Sequence, residues 1–320
     1  MNRVRHSVFF LLLFSCAVPA QDFPTRPLRV VVGFAPGAGT DAAARLVAEQ
    51  LNKAWRQPAI VDNRAGAAGN IAAEIVAKAL PDGYTLLVTS PGPIVTSPFL
   101  YAKLAYNPQS DLAPVVQVAS SPNVIAVPSS APASNVRELI AWGRAKPGHL
   151  NFASSGTGST PHLSGELFKL AAQLDMVHIG YKSAAPAMVD LIAGRVDVMI
   201  SSISGMLPHV KAHRLKAVAV TSLTRASLLP EVPTADESGV PGYESVTWWG
   251  VFTQAAVPQN LVAKVNQALV KSVGSAEMKE GFARQGAHTV GGSPAEFKAF
   301  IKKELARWSK VIKASGMSVE

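Results

Sequence analysis

The chain has 320 residues, 48% of them hydrophobic, and carries 30 Lys and Arg against 21 Asp and Glu for a formal charge of +9. About 300 residues beyond a leader exceed what one core organises, so two lobes are expected. Cys16 is the single cysteine and falls in that leader, which excludes disulfides, thiolate zinc sites and cysteine nucleophiles from the mature part. The basic residues stand singly on helix faces, as at Lys298, Lys302, Lys303 and Arg307, with no run interleaved with aromatics, so nucleic-acid binding is not expected.

Asn2-Arg3-Val4-Arg5-His6 is a basic start, Val8 to Phe14 a short apolar run, and Val18-Pro19-Ala20 offers small residues ahead of Gln21. That is the pattern of a cleaved secretory signal over residues 1–20, and it predicts a periplasmic mature protein. The apolar run is well short of the roughly 20 residues of a membrane helix. Leu13-Phe14-Ser15-Cys16 loosely resembles a lipoprotein box with a poorly fitting Phe14, so a lipid anchor at Cys16 is the secondary expectation.

In chain order, Leu28 to Gly33 reads as a buried strand, Asp41 to Trp55 as a helix, Ala59 to Val61 as a strand, Gly69 to Leu80 as a helix and Tyr84 to Val88 as a third strand. This order predicts right-handed crossovers and a doubly wound sheet. Val115 to Val127 is strand-like apart from Ser120-Ser121-Pro122, and its length suits a crossing between lobes. A second series follows: a helix from Val136 to Lys146 with Asn135 and Glu138 as capping box, a strand at Leu150 to Ala153, and a helix from His162 to Leu174. Next come a strand at Val177 to Ile179, a helix at Ala185 to Ile192, and strands at Val196 to Ile200 and Leu215 to Val220. Glu244 to Thr253 reads as a strand returning to the first lobe, and helices after Pro258 and Pro294 are expected to pack on its sheet. The resulting fold class is α/β, a two-lobed binding-protein architecture of the type II kind. Lobe I is expected at 21–122 and 248–320, and lobe II at 123–247.

Two strand–turn–helix junctions share one grammar, Val30 through Gly33-Phe34-Ala35-Pro36-Gly37-Ala38-Gly39-Thr40-Asp41, and Leu150 through Ser154-Ser155-Gly156-Thr157-Gly158-Ser159-Thr160. Each aims unpaired N–H groups and a positive helix end at one point, which suits an anion. Two such turns suggest lobes closing on a carboxylate. Asp41 reads either as a residue stabilised by the helix dipole or as a direct polar contact, and Phe34 either as core or as a cover over ligand. Five hydroxyls in the second turn are too many for one cap, so at least two are expected to face the cleft. His162 suits donation to a carboxylate or a satisfied structural role, and Tyr181 follows a strand end where contacts gather in open sheets. Lys182 reads equally as a partner for an acid or as solvent-facing. Ser90 and Ser202 complete the candidate set, and no catalytic residue, metal or cofactor is expected.

Gly37-Ala38-Gly39-Thr40-Asp41-Ala42, with Asp62 near the next strand end, also matches a dinucleotide fingerprint, which leaves an NAD-dependent oxidoreductase as a minor alternative. Thr40-Asp41 opposes it by placing a carboxylate where pyrophosphate would rest. His209 and His213 have zinc spacing but lack a third ligand and a catalytic Glu, so surface histidines are expected.

The ordered set of Phe34 through Asp41 with Arg45, Val61 through Asn70, Pro81-Asp82-Gly83-Tyr84, Ala153 through Ser159, Tyr181-Lys182, Leu229 through Thr234 and Trp249-Gly250 resembles the Bug-type periplasmic receptors of the tripartite tricarboxylate transporter family. The resemblance covers the whole mature chain. It implies a receptor closing on a small carboxylate, one group of which main-chain atoms and paired waters hold at the two Gly-rich loops, without covalent chemistry. It further implies a monomer delivering its ligand to membrane permease subunits, with a ligand sensor as the other reading. The chain departs from the family pattern at Ala38, Gly180, Ser183 and Ala256-Val257, which bears on ligand choice.

Overall fold

The structure is a computed structural model and describes residues 23–318; the expected signal sequence and Cys16 lie outside the described residues. Strands β1 (Leu28–Val32), β2 (Ala59–Asn63) and β3 (Thr85–Thr89) alternate with helices α1 (Gly39–Trp55) and α2 (Asn70–Ala77), as the apolar pattern requires. A π-helical turn at Gly92–Thr96 and α3 (Ser97–Leu100) lead to the long strand β4 (Leu112–Pro128). Then come α4 (Val136–Ala145), β5 (Leu150–Ser154), α5 (Thr160–Ala172), β6 (Met176–Gly180), α6 (Ala184–Ile192), β7 (Val198–Ser202), α7 (Ile203–Lys211) and β8 (Leu215–Val220). The chain ends with β9 (Val246–Gln254), α8 (Gln259–Val273), α9 (Ala276–Ala283), β10 (His288–Gly291) and α10 (Pro294–Ser315).

The strand order is β2-β1-β3-β9-β4-β7-β5-β6, with β8 and β10 also paired to β4. Three parallel strands lie at each end, and β4 belongs to both halves, pairing β9 from Leu112 to Pro122 and β7 from Asn123 to Ala126. Each half is covered on two faces. In the first, α1 and α8 pack on one side through Val47, Leu51, Val265 and Leu269, while α2 and α10 pack on the other through Val76, Phe297 and Trp308. In the second, α4 and α5 face α6 and α7 across the sheet. Burial on both faces explains why Val30–Val32 of β1 and Val198–Ile200 of β7 are apolar without alternation. This is the two-lobed α/β fold expected, with α8 and α10 returned to the first sheet.

Differences from the sequence reading have local causes. Strand β4 does not break at Ser120-Ser121-Pro122, because Pro122 stands opposite Val246, the first residue of β9, where its missing N–H interrupts no central ladder. Helix α7 was not expected, with Pro208 inside it, and β10 is a four-residue strand too short to signal itself. At α4, the Asn135 side chain accepts from the Glu138 N–H at 2.9 Å, but the Glu138 carboxylate returns to the Ser134 N–H at 2.7 Å, one residue before the expected position.

Candidate functional site

Strand register brings the two Gly-rich turns face to face. At the end of β3, Thr89 pairs Gly250, and Gly250 pairs Gln117 of β4. At the end of β7, Ser202 pairs Asn123 of the same strand. Because β9 is antiparallel to both β3 and β4, β3 runs along β4, whereas β7 runs against it. The carboxyl ends of β1 and β3 therefore point toward those of β5 and β7. Gln117 and Asn123 are separated by about 20 Å of strand, the width of a crevice for a small molecule.

The first turn is organised around Asp41, which is 2% exposed. Its Oδ2 accepts from the Gly37 N–H and from Arg45 Nε, each at 2.9 Å, and its Oδ1 accepts from Asn63 Nδ2 at 2.8 Å. Asn63 also donates to the Phe34 carbonyl at 2.9 Å, tying strand β2 to the turn. Burial opposes ionisation of Asp41, but the hydrogen bonds from Arg45, Asn63 and Gly37 outweigh it and hold the carboxyl below its ordinary range. Both carboxylate oxygens of Asp41 are thus committed inside the loop. Thr40 turns inward as well, accepting from Trp249 Nε1 at 3.3 Å.

Gly37 and Gly39 are exposed and Ala38 half-buried. Among the described residues, the N–H groups of Gly39, Thr40 and Asp41 take no protein acceptor. Ala38 adopts an extended conformation at φ −69°, so an alanine fits there without strain. Phe34 is half-buried against Gly69, and Gly33 lies so close to the Gly69 backbone that a side chain would collide.

In the second turn, Ser154 is fully buried, its Oγ 3.1 Å from the Gly156 carbonyl and N–H and 2.7 Å from His178 Nε2. Ser159 donates to the Gly156 carbonyl at 2.6 Å and caps α5 by accepting from the His162 N–H. The Gly158 N–H donates to His162 Nδ1 at 3.1 Å. Two of the five hydroxyls are therefore turned inward, while Ser155, Thr157 and Thr160 bond no other described side chain or backbone group through theirs. The amides of Gly156 and Gly158, expected to face an anion, are occupied within the loop.

His162 is placed as a satisfied side chain, one of the two readings of the sequence. Its ring is buried, Nδ1 is an acceptor, and burial, with His178 and Lys169 nearby, pushes its pKa down to about 3. The Tyr181 hydroxyl donates to Asp190 Oδ2 at 2.7 Å, and burial followed by that carboxylate pushes its pKa up to about 12. Its main chain still serves the loop, its N–H donating to the Ser154 carbonyl at 3.0 Å. Lys182 is exposed, the solvent-facing reading, and Ser90 and Ser202 are half-buried at their strand ends.

Other sequence candidates resolve simply. Asp62 accepts from Arg29 at 2.6 and 2.8 Å and from Arg64 at 2.9 Å, leaving it committed rather than free for a ribose. His209 pairs with Arg214, and among the described residues no group of three metal-binding side chains forms. Asn63, Trp249 and His178 were not among the expected site residues; Asn63 lay next to Asp62 at a strand end and Trp249 in the motif set, each a usable signal, whereas His178 carried none.

The family described as tripartite tricarboxylate transporter family receptor matches residues 43–317. A Pseudomonas sp. relative, the UPF0065 protein of a tcbD-tcbE intergenic region, is 39% identical over 291 residues, covering 91% of this chain and 86% of its own. Protein BugT of Bordetella pertussis is 34% identical over 304 residues, covering 95% and 93%. Among solved structures, an R. palustris protein with adipate shares 37% identity at a TM-score of 0.79, covering 93% of this chain and 99% of that one. MatC from Rhodopseudomonas palustris with bound malate shares 31% identity at a TM-score of 0.74, covering 91% and 100%. Matched along nearly its whole length in sequence and in fold, the chain belongs to the tripartite tricarboxylate transporter receptor family of periplasmic solute-binding proteins.

Proposed function

We propose that this receptor binds one carboxylate of a small organic acid between its lobes and delivers it, as an exported monomer, to membrane permease subunits. The observation that carries the reading is the set of N–H groups on Gly39, Thr40 and Asp41 without a protein acceptor, at a positive helix end, together with the strand register that turns the carboxyl ends of β1 and β5 toward one another. The lobes divide near 122/123 and 247/248, and closure is a hinge motion about β4 and β9. Solved relatives carry adipate and malate, both aliphatic dicarboxylates, which makes that class the first to test.

A thermal-shift screen of mono- and dicarboxylates tests the reading. An acid that binds only the folded form adds about 2.7 kcal/mol at a hundredfold excess over its dissociation constant. A stabilising shift with at least one acid is the expected result. No shift with any acid, together with a shift on adding NAD, would replace it with the dinucleotide reading.

A further inference from the structure

Helix α10 belongs to the first half of the molecule through Phe297, Ile301 and Trp308, whereas Tyr243 is buried in the core of the second half. Glu244 is tied to that second half by the residues on both sides of it. The Tyr243 hydroxyl donates to the Ser164 carbonyl at 3.0 Å, Ser245 Oγ lies 2.6 Å from Ser164 Oγ, and the Ser245 N–H donates to the Thr221 carbonyl at 2.9 Å. Ser164 stands one turn into α5, the helix that the second Gly-rich turn opens. Any motion of Glu244 is therefore shared with that turn. From the other half, Arg307 of α10 donates through Nη1 to the Glu244 carbonyl and through Nη2 to its carboxylate, each at 2.9 Å. With the lobes divided as proposed, Arg307 makes the only ion pair and the only side-chain hydrogen bonds that cross between them among the described residues.

The guanidinium is aimed by its own helix. Its Nη1 lies 3.0 Å from Oε1 of Glu304, a carboxylate 1% exposed whose Oε2 accepts from Trp308 Nε1 at 3.1 Å. Held on one side by a buried carboxylate and forked onto a single residue on the other, Arg307 has little freedom to follow Glu244, and both crossing bonds weaken steeply once distance or angle departs. The two bonds thus mark one angle between the lobes. At this angle the halves also touch where Gly286 faces Ile203, beside the carboxyl end of β7, a contact that separation of the lobes breaks. Resting on the hinge closure proposed above, we propose that Arg307 is a positioning residue that acts through Glu244 to hold the second Gly-rich turn at the angle that grips the acid. Without it a smaller fraction of chains is competent to bind, and apparent affinity falls by that fraction.

Paired spin labels measure the angle directly, since the chain's single cysteine, Cys16, falls in the expected leader, and Ala65→Cys with Ala185→Cys places thiols on exposed residues past the crevice ends of β2 and β6. Glu244→Gln is the deciding variant, because it leaves Arg307 paired with Glu304. Arg307→Met and the double variant accompany it, and ligand-free unfolding verifies that each folds. The expected result without ligand is a label-to-label distance distribution that is broader and shifted to longer distance in each variant. Calorimetric titration with adipate and malate should show binding weakened about threefold by Glu244→Gln and about tenfold by Arg307→Met, with the double variant no weaker than Arg307→Met alone, as suits a partly exposed pair. Unchanged distances overturn the proposal, as does unchanged affinity beside altered distances. Losses that add in the double variant would give the two residues separate roles and overturn it too. If neither acid binds the parent chain, carboxylate binding fails first, and the distances still decide whether Arg307 sets the lobe angle.

Discussion

The imidazoles of His162 and His178 stack with ring centroids 3.5 Å apart and planes within 10° of parallel. Phe152 packs against both rings, Lys169 lies over Phe152, and Glu166 Oε1 is 3.8 Å from His162 Nε2. The pair supports the second Gly-rich turn from below: His162 receives the Gly158 N–H, and His178 meets Ser154. A proton on His162 Nδ1 would remove that acceptor and charge a buried ring. The unfolded chain takes up this proton near pH 6.5, whereas the native one holds off until about pH 3. Stability from this group is therefore complete above pH 6.5 and declines as pH falls toward 3. We expect the unfolding free energy to drop from pH 7 to 4 and His162→Gln to flatten that slope. The His162 ring protons in NMR should show no titration above pH 5.

Asp41 carries a second, opposite test of charge. Asp41→Ala leaves the Gly37 N–H and the Asn63 amide without their acceptor, and we expect a loss of about 1–3 kcal/mol in unfolding free energy with at least tenfold weaker acid binding. Arg45 is more than half exposed, so its share of that loss is small. The wild-type contribution is present above the ordinary carboxyl range and disappears as pH falls through the depressed native value, so the variant and wild type should converge in acid. Denaturant titration at pH 7 and pH 2.5 measures both. Equal stability at pH 7 would show that the ring of bonds around Asp41 holds nothing together.

The sequence disclosed those features that depend on periodicity and punctuation. Apolar runs such as Val30-Val31-Val32 predicted buried parallel strands, and Asn135 predicted the cap of α4 that its side chain supplies to the Glu138 N–H. The Gly-rich turns were visible as turns. Side-chain direction was not: Asp41, His162 and Tyr181 each have the chemistry to meet a ligand, and the internal bonds they make to Gly37, Gly158 and Asp190 could not be read from residue type. Within a polar loop, competition between internal and external partners turns on angles that residue identity does not encode. Long-range contacts were equally hidden, because Trp249 reaches Thr40 across 209 positions.

Gly286 provides a test of the hinge. Its φ is +69°, and a side chain there would strike Ile203 at the start of α7. We expect Gly286→Ala to destabilise the chain by about 1–3 kcal/mol through overpacking and backbone strain. Ile203→Ala in the same chain should recover the steric part, giving a coupling energy of about 1 kcal/mol in a double-mutant cycle. Strictly additive effects would mean that the two halves do not bear on one another at this point.

Gly158 distinguishes a binding turn from a merely structural one. Its φ of +75° is open to glycine and tolerable for asparagine, but costly for a β-branched residue. Gly158→Val should therefore displace the N–H that His162 receives and move the hydroxyls of Thr157 and Ser159 with it. Since the turn lies outside the apolar clusters of the second half, we expect the ligand-free unfolding midpoint to fall by only a few degrees while acid affinity falls at least tenfold. Gly158→Asn, which can keep the backbone conformation, should bind within a few-fold of wild type. Affinity unchanged in a folded Gly158→Val chain would confine the second turn to a structural role and leave the first turn to hold the acid alone.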